Sequence, residues 1–383
     1  MEVTQLNAKF SQLFGQEAQG ISSAPGRVNL IGEFTDYNLG YVLPCALEFK
    51  TQVLFNRRKD NHVCVYSLNY PNEYDTFSVD TAIIQGDSQW GNYIRAVAYV
   101  LKQRGFHIGG LELLITSDVP QGAGLSSSAA LEVAITGAFN QAFNLGISSK
   151  DIALIGQQAE NEFMHCQCGI MDQLISAQGK AGHALQIDCQ DLSTQAVTIP
   201  EDLSLVIVNS NYPRKLVESE YNQRRIDCES AAKKMQVSSL RLATLARLNE
   251  TKAQLSDNEF KRAYHVISEN QRVIDTVNAL AKNDMGALHD LLAASHNSLR
   301  NNFEVTVPAT DGLVNIIANA LQGKGAVRMT GGGFGGAVIC LCRASDIADV
   351  KAAVAREYQA RFNLTADIFV CQAGNGLAVT TFH

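Results

Sequence analysis

The sequence predicts an α+β fold in two domains, and three observations carry that prediction. Strand-like runs rich in β-branched and aromatic residues are interleaved with helix-like runs of apolar spacing three and four, without repeats or low-complexity linkers. At 383 residues the chain is too long for one small core. A glycine–serine loop, Val119-Pro120-Gln121-Gly122-Ala123-Gly124-Leu125-Ser126-Ser127-Ser128-Ala129-Ala130, separates a strand-like run from a long apolar helical one. The domain break is placed near residue 200, giving an N-terminal domain of residues 1–200 and a C-terminal domain of residues 201–383.

Residues 51–55 and 62–67 read as strands from their β-branched and aromatic content. Residues 111–116 read as a strand stopped by Asp118 and Pro120. From Ala129 the residues Leu131, Ala134, Ile135, Ala138, Phe139, Ala142 and Phe143 recur at helical spacing, predicting a buried helix that stops near Gly146. A second helix starts near Ser149, with Ile152, Ile155, Ala159 and Phe163 on one face. Residues 203–209 (LSLVIVN) form a short continuous apolar run, the mark of a strand covered on both faces. Helices are predicted at about 218–234, 257–282 and 285–299, and strands at 337–342 and 366–371.

The chain is 46% hydrophobic and 18% charged, the composition of an ordinary folded domain protein. Its net charge of −7 argues against nucleic acid or an anionic membrane as main partner, since both demand a basic face. Nine cysteines, a polar N-terminus and the lack of any long apolar run lead to the expectation of a cytoplasmic protein with free thiols. Cys166-x-Cys168 beside His165 has no partner pair at zinc spacing and reads as packed thiols.

Three stretches carry chemistry. In the first, Ala24 to Asn38, Arg27, Glu33 and Asp36 surround the apolar Val28, Leu30 and Ile31. Charges beside core residues are costly unless paired or used, and carboxylates suit the hydroxyls of a sugar. A surface turn with an Arg–Asp ion pair fits the same residues. The second is the glycine–serine loop. Its strand, Gly-x-Gly and helix start at Ser128 fit an anion cradle, whereas plain helix capping needs only the serines. It is neither a Walker loop nor a dinucleotide fingerprint. The third, Thr330-Gly331-Gly332-Gly333-Phe334-Gly335-Gly336, concentrates five glycines in six residues between strand-like flanks. The ordering cost of such a run implies a tight turn or a close backbone approach. Asp172 follows Gly169-Ile170-Met171 and reads as a buried base held by an arginine, or as a helix cap. Glu160 reads as an oxygen ligand for Mg²⁺ or as a solvated helix carboxylate.

Together these stretches resemble the galactokinases, within the superfamily of homoserine, mevalonate and phosphomevalonate kinases. APGRVNLIGEFTDYN is similar to the galactokinase signature, VPQGAGLSSSAALEVA to the superfamily's phosphate loop, and RMTGGGFGGAVICL to its third motif. ENEFMHCQCGIMDQLISAQG and NSNYPRKLVESEYNQRR also resemble galactokinase segments, in the same order, so the likeness runs from about residue 20 to the C-terminus. The resemblance implies mixed sheets with packed helices and an active site in the cleft between two domains. It implies ATP-dependent phosphorylation of the C1 hydroxyl of galactose, with Asp172 as base and Arg27 stabilising charge beside it. Glu33, Phe34, Thr35, Asp36, Gly169 and Tyr221 would contact the sugar. Ser67, Gly122, Ala123, Gly124, Leu125, Ser126, Ser127 and Ser128 would bind ATP, and Ser128 with Glu160 would hold Mg²⁺. No nucleic-acid or membrane partner is implied, and the expected state is a monomer or weak oligomer.

One position departs from the pattern. Phe34 stands where galactokinases usually carry a histidine that contacts a sugar hydroxyl. Phenylalanine neither donates nor accepts, which points to weaker galactose binding or to a galactose modified at that position. A non-catalytic sugar and ATP sensor is the remaining alternative. Such sensors lack the small residue pair after the serines, whereas Ala129-Ala130 is intact here.

Overall fold

The computed structural model describes residues 1–71, 73–213 and 217–382, with only the backbone at Val217 and Glu218. The strands are β1 (Gly20–Asn29), β2 (Tyr41–Val42), β3 (Pro44–Arg57), β4 (His62–Ser67), β5 (Tyr74–Ser78), β6 (Leu111–Ser117), β7 (His183–Asp188), β8 (Ser193–Thr198), β9 (Leu203–Asn209), β10 (Ala326–Thr330), β11 (Ala337–Arg343), β12 (Asp367–Cys371) and β13 (Ala378–Thr381). The helices are α1 (Val3–Phe14), α2 (Gln89–Gln103), α3 (Ser127–Phe143), α4 (Ser149–Gln158), α5 (Met171–Gln178), α6 (Val217–Lys234), α7 (Leu245–Glu250), α8 (Asp257–Ala281), α9 (Met285–Ser298), α10 (Pro308–Leu321) and α11 (Ile347–Phe362).

The Ala24–Asn29 stretch is not a surface turn. It belongs to β1, an interior strand whose Ala24 and Val28 are fully buried. β1 pairs with β3 on one side and β13 on the other, in a sheet of order β13-β1-β3-β6-β4-β5. All pairings in this sheet are antiparallel except β4 with β6. The β1–β3 register shifts between Pro25 and Arg27. Proline cannot donate to a ladder, so a bulge there is the natural accommodation. A Cβ on Gly26 would lie 2.6 Å from the Leu125 carbonyl, and Arg27 N donates to that carbonyl at 3.0 Å. The bulge and its glycine thus bring the glycine–serine loop against β1.

One face of this sheet is covered by α2, α3, α4 and α5, whose buried Ile94, Val133, Phe139, Ile155 and Leu174 share a core with Val53 and Leu113. On the other face Leu6 and Phe10 of α1 meet Ile21, Leu54 and Leu114. Burying each such side chain contributes roughly 1.5–3 kcal/mol. A second sheet runs β10-β11-β9-β12, all antiparallel. Every residue of β9 is buried, because α10 and α11 supply Leu313, Ile317, Val350 and Tyr358 on one side and Leu288 and Leu292 of α9 lie on the other. The expected strand over 203–209 is therefore covered on both faces, but within an antiparallel sheet.

One apolar cluster joins the two regions. Val28, Leu30 and Ile31 pack with Ala123 and Leu125 of the loop and with Leu205, Ile207 and Ile339 of the second sheet. The last strand, β13, returns to the first sheet beside β1, so residues on both sides of position 200 build it. No helix among the described residues is long and apolar enough to cross a membrane.

Candidate active site

A cavity of about 200 Å³ opens where six segments converge. The end of β1 and the loop after it supply Arg27, Glu33, Phe34 and Asp36; the start of α3 supplies Ser128; the π-helical turn Ala159–Phe163 supplies Glu160. The loop into α5 and its first turn add Gly169, Met171 and Asp172, α6 adds Tyr221, and the β10–β11 turn adds Gly331 and Gly332.

Arg27 and Asp172, 145 positions apart, form a bidentate pair. Arg27 Nε and Nη2 each donate at 2.7 Å, to Oδ1 and Oδ2. This fork geometry is among the stronger charge-assisted arrangements. The remaining Nη1 donates to the Gly124 carbonyl at 2.7 Å, tying the glycine–serine loop to the same guanidinium. Ser126 Oγ also donates to Asp172 Oδ2. Arg27 is 5% exposed, while the Asp172 side chain keeps 31% and faces the cavity. Burial alone would lower the Arg27 pKa; the charges of Asp172 and then Glu33 outweigh it and the net shift is upward.

Asp36 accepts from its neighbour's amide, Tyr37 N, at 2.9 Å. Burial, and then the Asp172 charge, push its carboxyl up to about 6. Gly169 packs directly on this carboxylate, and a Cβ there would sit 1.9 Å from Asp36 Oδ2. Glu33 is 2% exposed, with Gly331 N donating to Oε1 at 2.6 Å and Asn29 Nδ2 donating to Oε2. Burial raises its pKa despite opposing Arg328 and Arg27. Thr35 is not brought to the cavity: its hydroxyl lies 2.8 Å from the Gly32 carbonyl and 2.6 Å from that of Tyr41, bracing the turn from within. The expectation that Thr35 contacts substrate is corrected accordingly. Phe34 adopts a left-handed φ of 65° and stacks on Phe303, with ring centroids 4.5 Å apart and Tyr221 at 5.8 Å.

Within the glycine–serine loop, Gly122 and Gly124 adopt φ of 73° and 74°, conformations that glycine reaches without strain. Ala123 and Leu125 turn into the core, so they offer backbone rather than side chain. Ser127 and Ser128 line a second cavity of about 260 Å³, together with Ser67, Asn69, Tyr70, Trp90 and Gln121. Ser128 is common to both cavities. The Tyr70 and Trp90 rings are parallel with centroids 6.2 Å apart, and Trp90 Nε1 donates to Glu73 Oε2 at 2.7 Å. Sequence reasoning missed this aromatic slot. The one signal for it was the chain's single tryptophan, beside a helix start at Ser88.

The glycine-rich turn meets the first two stretches rather than standing apart. Gly331 has φ of 82°, and a Cβ there would approach the Gly124 carbonyl to 3.1 Å.

Residues 8–57 match the galactokinase galactose-binding signature, residues 92–180 the GHMP kinases N terminal domain and residues 276–360 the GHMP kinases C terminal. The structure of Lactococcus lactis galactokinase complexed with galactose matches with a TM-score of 0.92 and 33% identity, over 98% of this chain and 99% of that one. The chain belongs to the galactokinase family. Members of this family are sugar kinases that transfer a phosphoryl group to an alcohol. Two further structures share the fold: Methanococcus jannaschii mevalonate kinase, with 16% identity and a TM-score of 0.67 over 93% of this chain and 98% of that one, and Streptococcus pneumoniae phosphomevalonate kinase, with 12% and 0.64 over 92% and 99%.

The donor set of this galactokinase-family site suits a divalent cation that arrives with a nucleotide. Glu33, Asp36, Glu160 and Asp172 line the first cavity against one lining guanidinium, that of Arg27. Behind Ser128, one helical turn along α3, Glu132 is fully buried and its Oε1 has no hydrogen-bond partner. No group of three or more His, Cys, Asp or Glu side chains among the described residues forms a metal cage. That composition fits Mg²⁺, which uses one or two carboxylates and completes its shell with phosphates and water.

Gly169→Ala should raise the galactose KM by at least about tenfold, because the methyl group overlaps the Asp36 carboxylate and forces it from place. The KM for ATP should stay within about twofold, since the cavity lined by Ser127, Tyr70 and Trp90 is untouched. Steady-state kinetics against each substrate tests this, and an unchanged galactose KM would show that Asp36 does not contact the sugar.

Proposed function

We propose that the chain catalyses ATP-dependent phosphorylation of the C1 hydroxyl of D-galactose, giving galactose 1-phosphate and ADP. One observation carries this reading: the Arg27–Asp172 pair stands at the sugar-side cavity, and Ser128 joins that cavity to the nucleotide-side one. Asp172 accepts the proton of the C1 hydroxyl as that oxygen bonds to the terminal phosphorus of ATP and the bond to the ADP oxygen breaks. Arg27 keeps the base oriented and places positive charge beside the moving phosphoryl. The amide groups at the start of α3 face the phosphates, where a helix N-terminus favours anions. Phosphoryl transfer asks mainly for alignment and charge stabilisation, which these groups provide. Ser128 and Glu160 would hold Mg²⁺, which when bound neutralises phosphate charge. The adenine ring would enter the slot at Tyr70 and Trp90, and Glu33 and Asp36 would accept sugar hydroxyls, with Tyr221 and Gly169 closing the pocket.

Phe34 favours a second reading, a galactose derivative modified on the flank this ring faces, for instance an N-acetylated or deoxy galactose. Its closest ring partner, Phe303, is apolar, as are Met329 and Leu299 in the same cluster. A coupled ADP-release assay with galactose, N-acetylgalactosamine and deoxygalactoses separates the two. Turnover with galactose supports the first, turnover only with a derivative supports the second, and no turnover with any sugar defeats both.

Phe34→His should lower the galactose KM by about three- to tenfold, the worth of one regained hydrogen bond. It should also cost about 2 kcal/mol of stability by putting an imidazole into the Phe303 cluster. Paired kinetics and thermal melts test both halves; a galactose KM that stays level or rises would show that this ring does not face the sugar.

A further inference from the structure

Arg328 sits on β10, three residues before Gly331, and is fully buried. A guanidinium with no solvent contact requires a compensating charge. Its Nη2 lies 3.3 Å from Glu33 Oε1. Its Nη1 donates to the carbonyls of Asn29 and Leu30 at 3.2 and 2.9 Å. Thr330 and Gly331 act on the same loop: Thr330 Oγ1 donates to the Asn29 carbonyl at 3.0 Å, and Gly331 N donates to Glu33 Oε1 at 2.6 Å. From α8, His265 Nε2 lies 3.1 Å from the Glu33 carbonyl. Residues about 300 positions away in sequence therefore hold the backbone at Asn29 and Leu30 and the carboxylate of Glu33, while His265 meets its carbonyl.

Arg328 does not line the cavity, whereas Glu33 does. Arg328 thus reaches the cavity indirectly, through the Glu33 carboxylate and through the Asn29 and Leu30 carbonyls of the loop that carries it. We propose that Arg328 is a positioning residue for sugar recognition, aiming the Glu33 carboxylate into the cavity, so that the segment 328–331 serves the sugar side of the site. This rests on the reading of Glu33 as a sugar ligand. Among the charges around Glu33, Arg328 is the largest influence opposing burial, and Glu269 is a like charge that adds to it. Removing Arg328 would leave a buried carboxylate facing that like charge, free to swing or to take up a proton.

The test is a double-mutant cycle on the full chain, with the sugar that the wild type phosphorylates. Arg328→Met should raise the KM for that sugar by about tenfold or more while leaving the ATP KM within about twofold. Arg328→Lys, which keeps the charge, should recover most of the loss. In a Glu33→Gln background, adding Arg328→Met should change the sugar KM by less than about twofold, since the group it aims is already neutral. Should Arg328→Met fail to fold, the double variant carries no buried charge at either position, and its comparison with Glu33→Gln still decides the matter. Equal losses in both backgrounds, or parallel rises in the KM of sugar and ATP, overturn the assignment. A wild type that turns over no sugar defeats the underlying reading before any variant is made; turnover without coupling defeats Arg328 alone.

Discussion

Asp172→Asn should reduce kcat by about a thousandfold or more, within the range supplied by a positioned general base. The amide keeps the shape of the carboxylate but cannot accept the sugar's proton. It also replaces one of the two acceptor oxygens that face Arg27 at 2.7 Å with a donor. ATP binding should survive, because the nucleotide-side cavity contains no part of residue 172. The measurement is single-turnover phosphorylation alongside calorimetric titration with an ATP analogue. Retention of more than about a tenth of the rate would mean that little deprotonation is needed in a loose transition state, and the base assignment would fall.

Arg27→Met should be at least as severe, with kcat/KM lower by about 10⁴, equivalent to roughly 5 kcal/mol at 1.36 kcal/mol per decade. Three effects add. The cation beside the moving phosphoryl is lost. Asp172 loses the two guanidinium donors and keeps that of Ser126. Gly124, held through its carbonyl by Nη1, is released, so the glycine–serine loop loses a fixed point. Without that guanidinium the carboxyls of Glu33, Asp36 and Asp172 face one another with less compensation, which penalises the fold by about 3–5 kcal/mol, the usual cost of orphaning a buried pair. Arg27→Lys keeps a positive charge but presents a single ammonium in place of a fork. It should restore much of the melting temperature and little of the rate. Kinetics and thermal melts on the two variants together check this; near-wild-type turnover by Arg27→Met would remove Arg27 from the mechanism.

Much of the fold was legible locally. The strands at His62–Ser67 and Leu203–Asn209 and the helices beginning near Ser127, Ser149, Asp257 and Met285 lie where apolar period and capping residues place them. Ser148, Ser256 and Asp284 each accept the backbone N–H three residues on, which is why those helix starts were readable. The Ala24–Asn29 stretch was not readable as a strand. Pro25 and Gly26 are poor strand residues, and only the pairing with β3 and the bulge make them one. Strands β7 and β8 were missed because their polar, weakly alternating sequences depend on pairing with each other.

The site divides along the same line. Residue chemistry and motif order pointed to a phosphate cradle, a carboxylate base and a sugar-binding loop, because those depend on residue type and short spacing. They could not show that Thr35 turns inward, that Ser126 bonds Asp172, or that Tyr70 and Trp90 form a slot. Nor could they join Glu33 to Arg328, 295 positions apart. Backbone preference and helix capping act within a few residues and survive in any compact state. Ion pairs across hundreds of residues exist only once sheet register and helix packing have set the distances, and here those distances decide which charge is balanced, which is aimed and which is left to do chemistry.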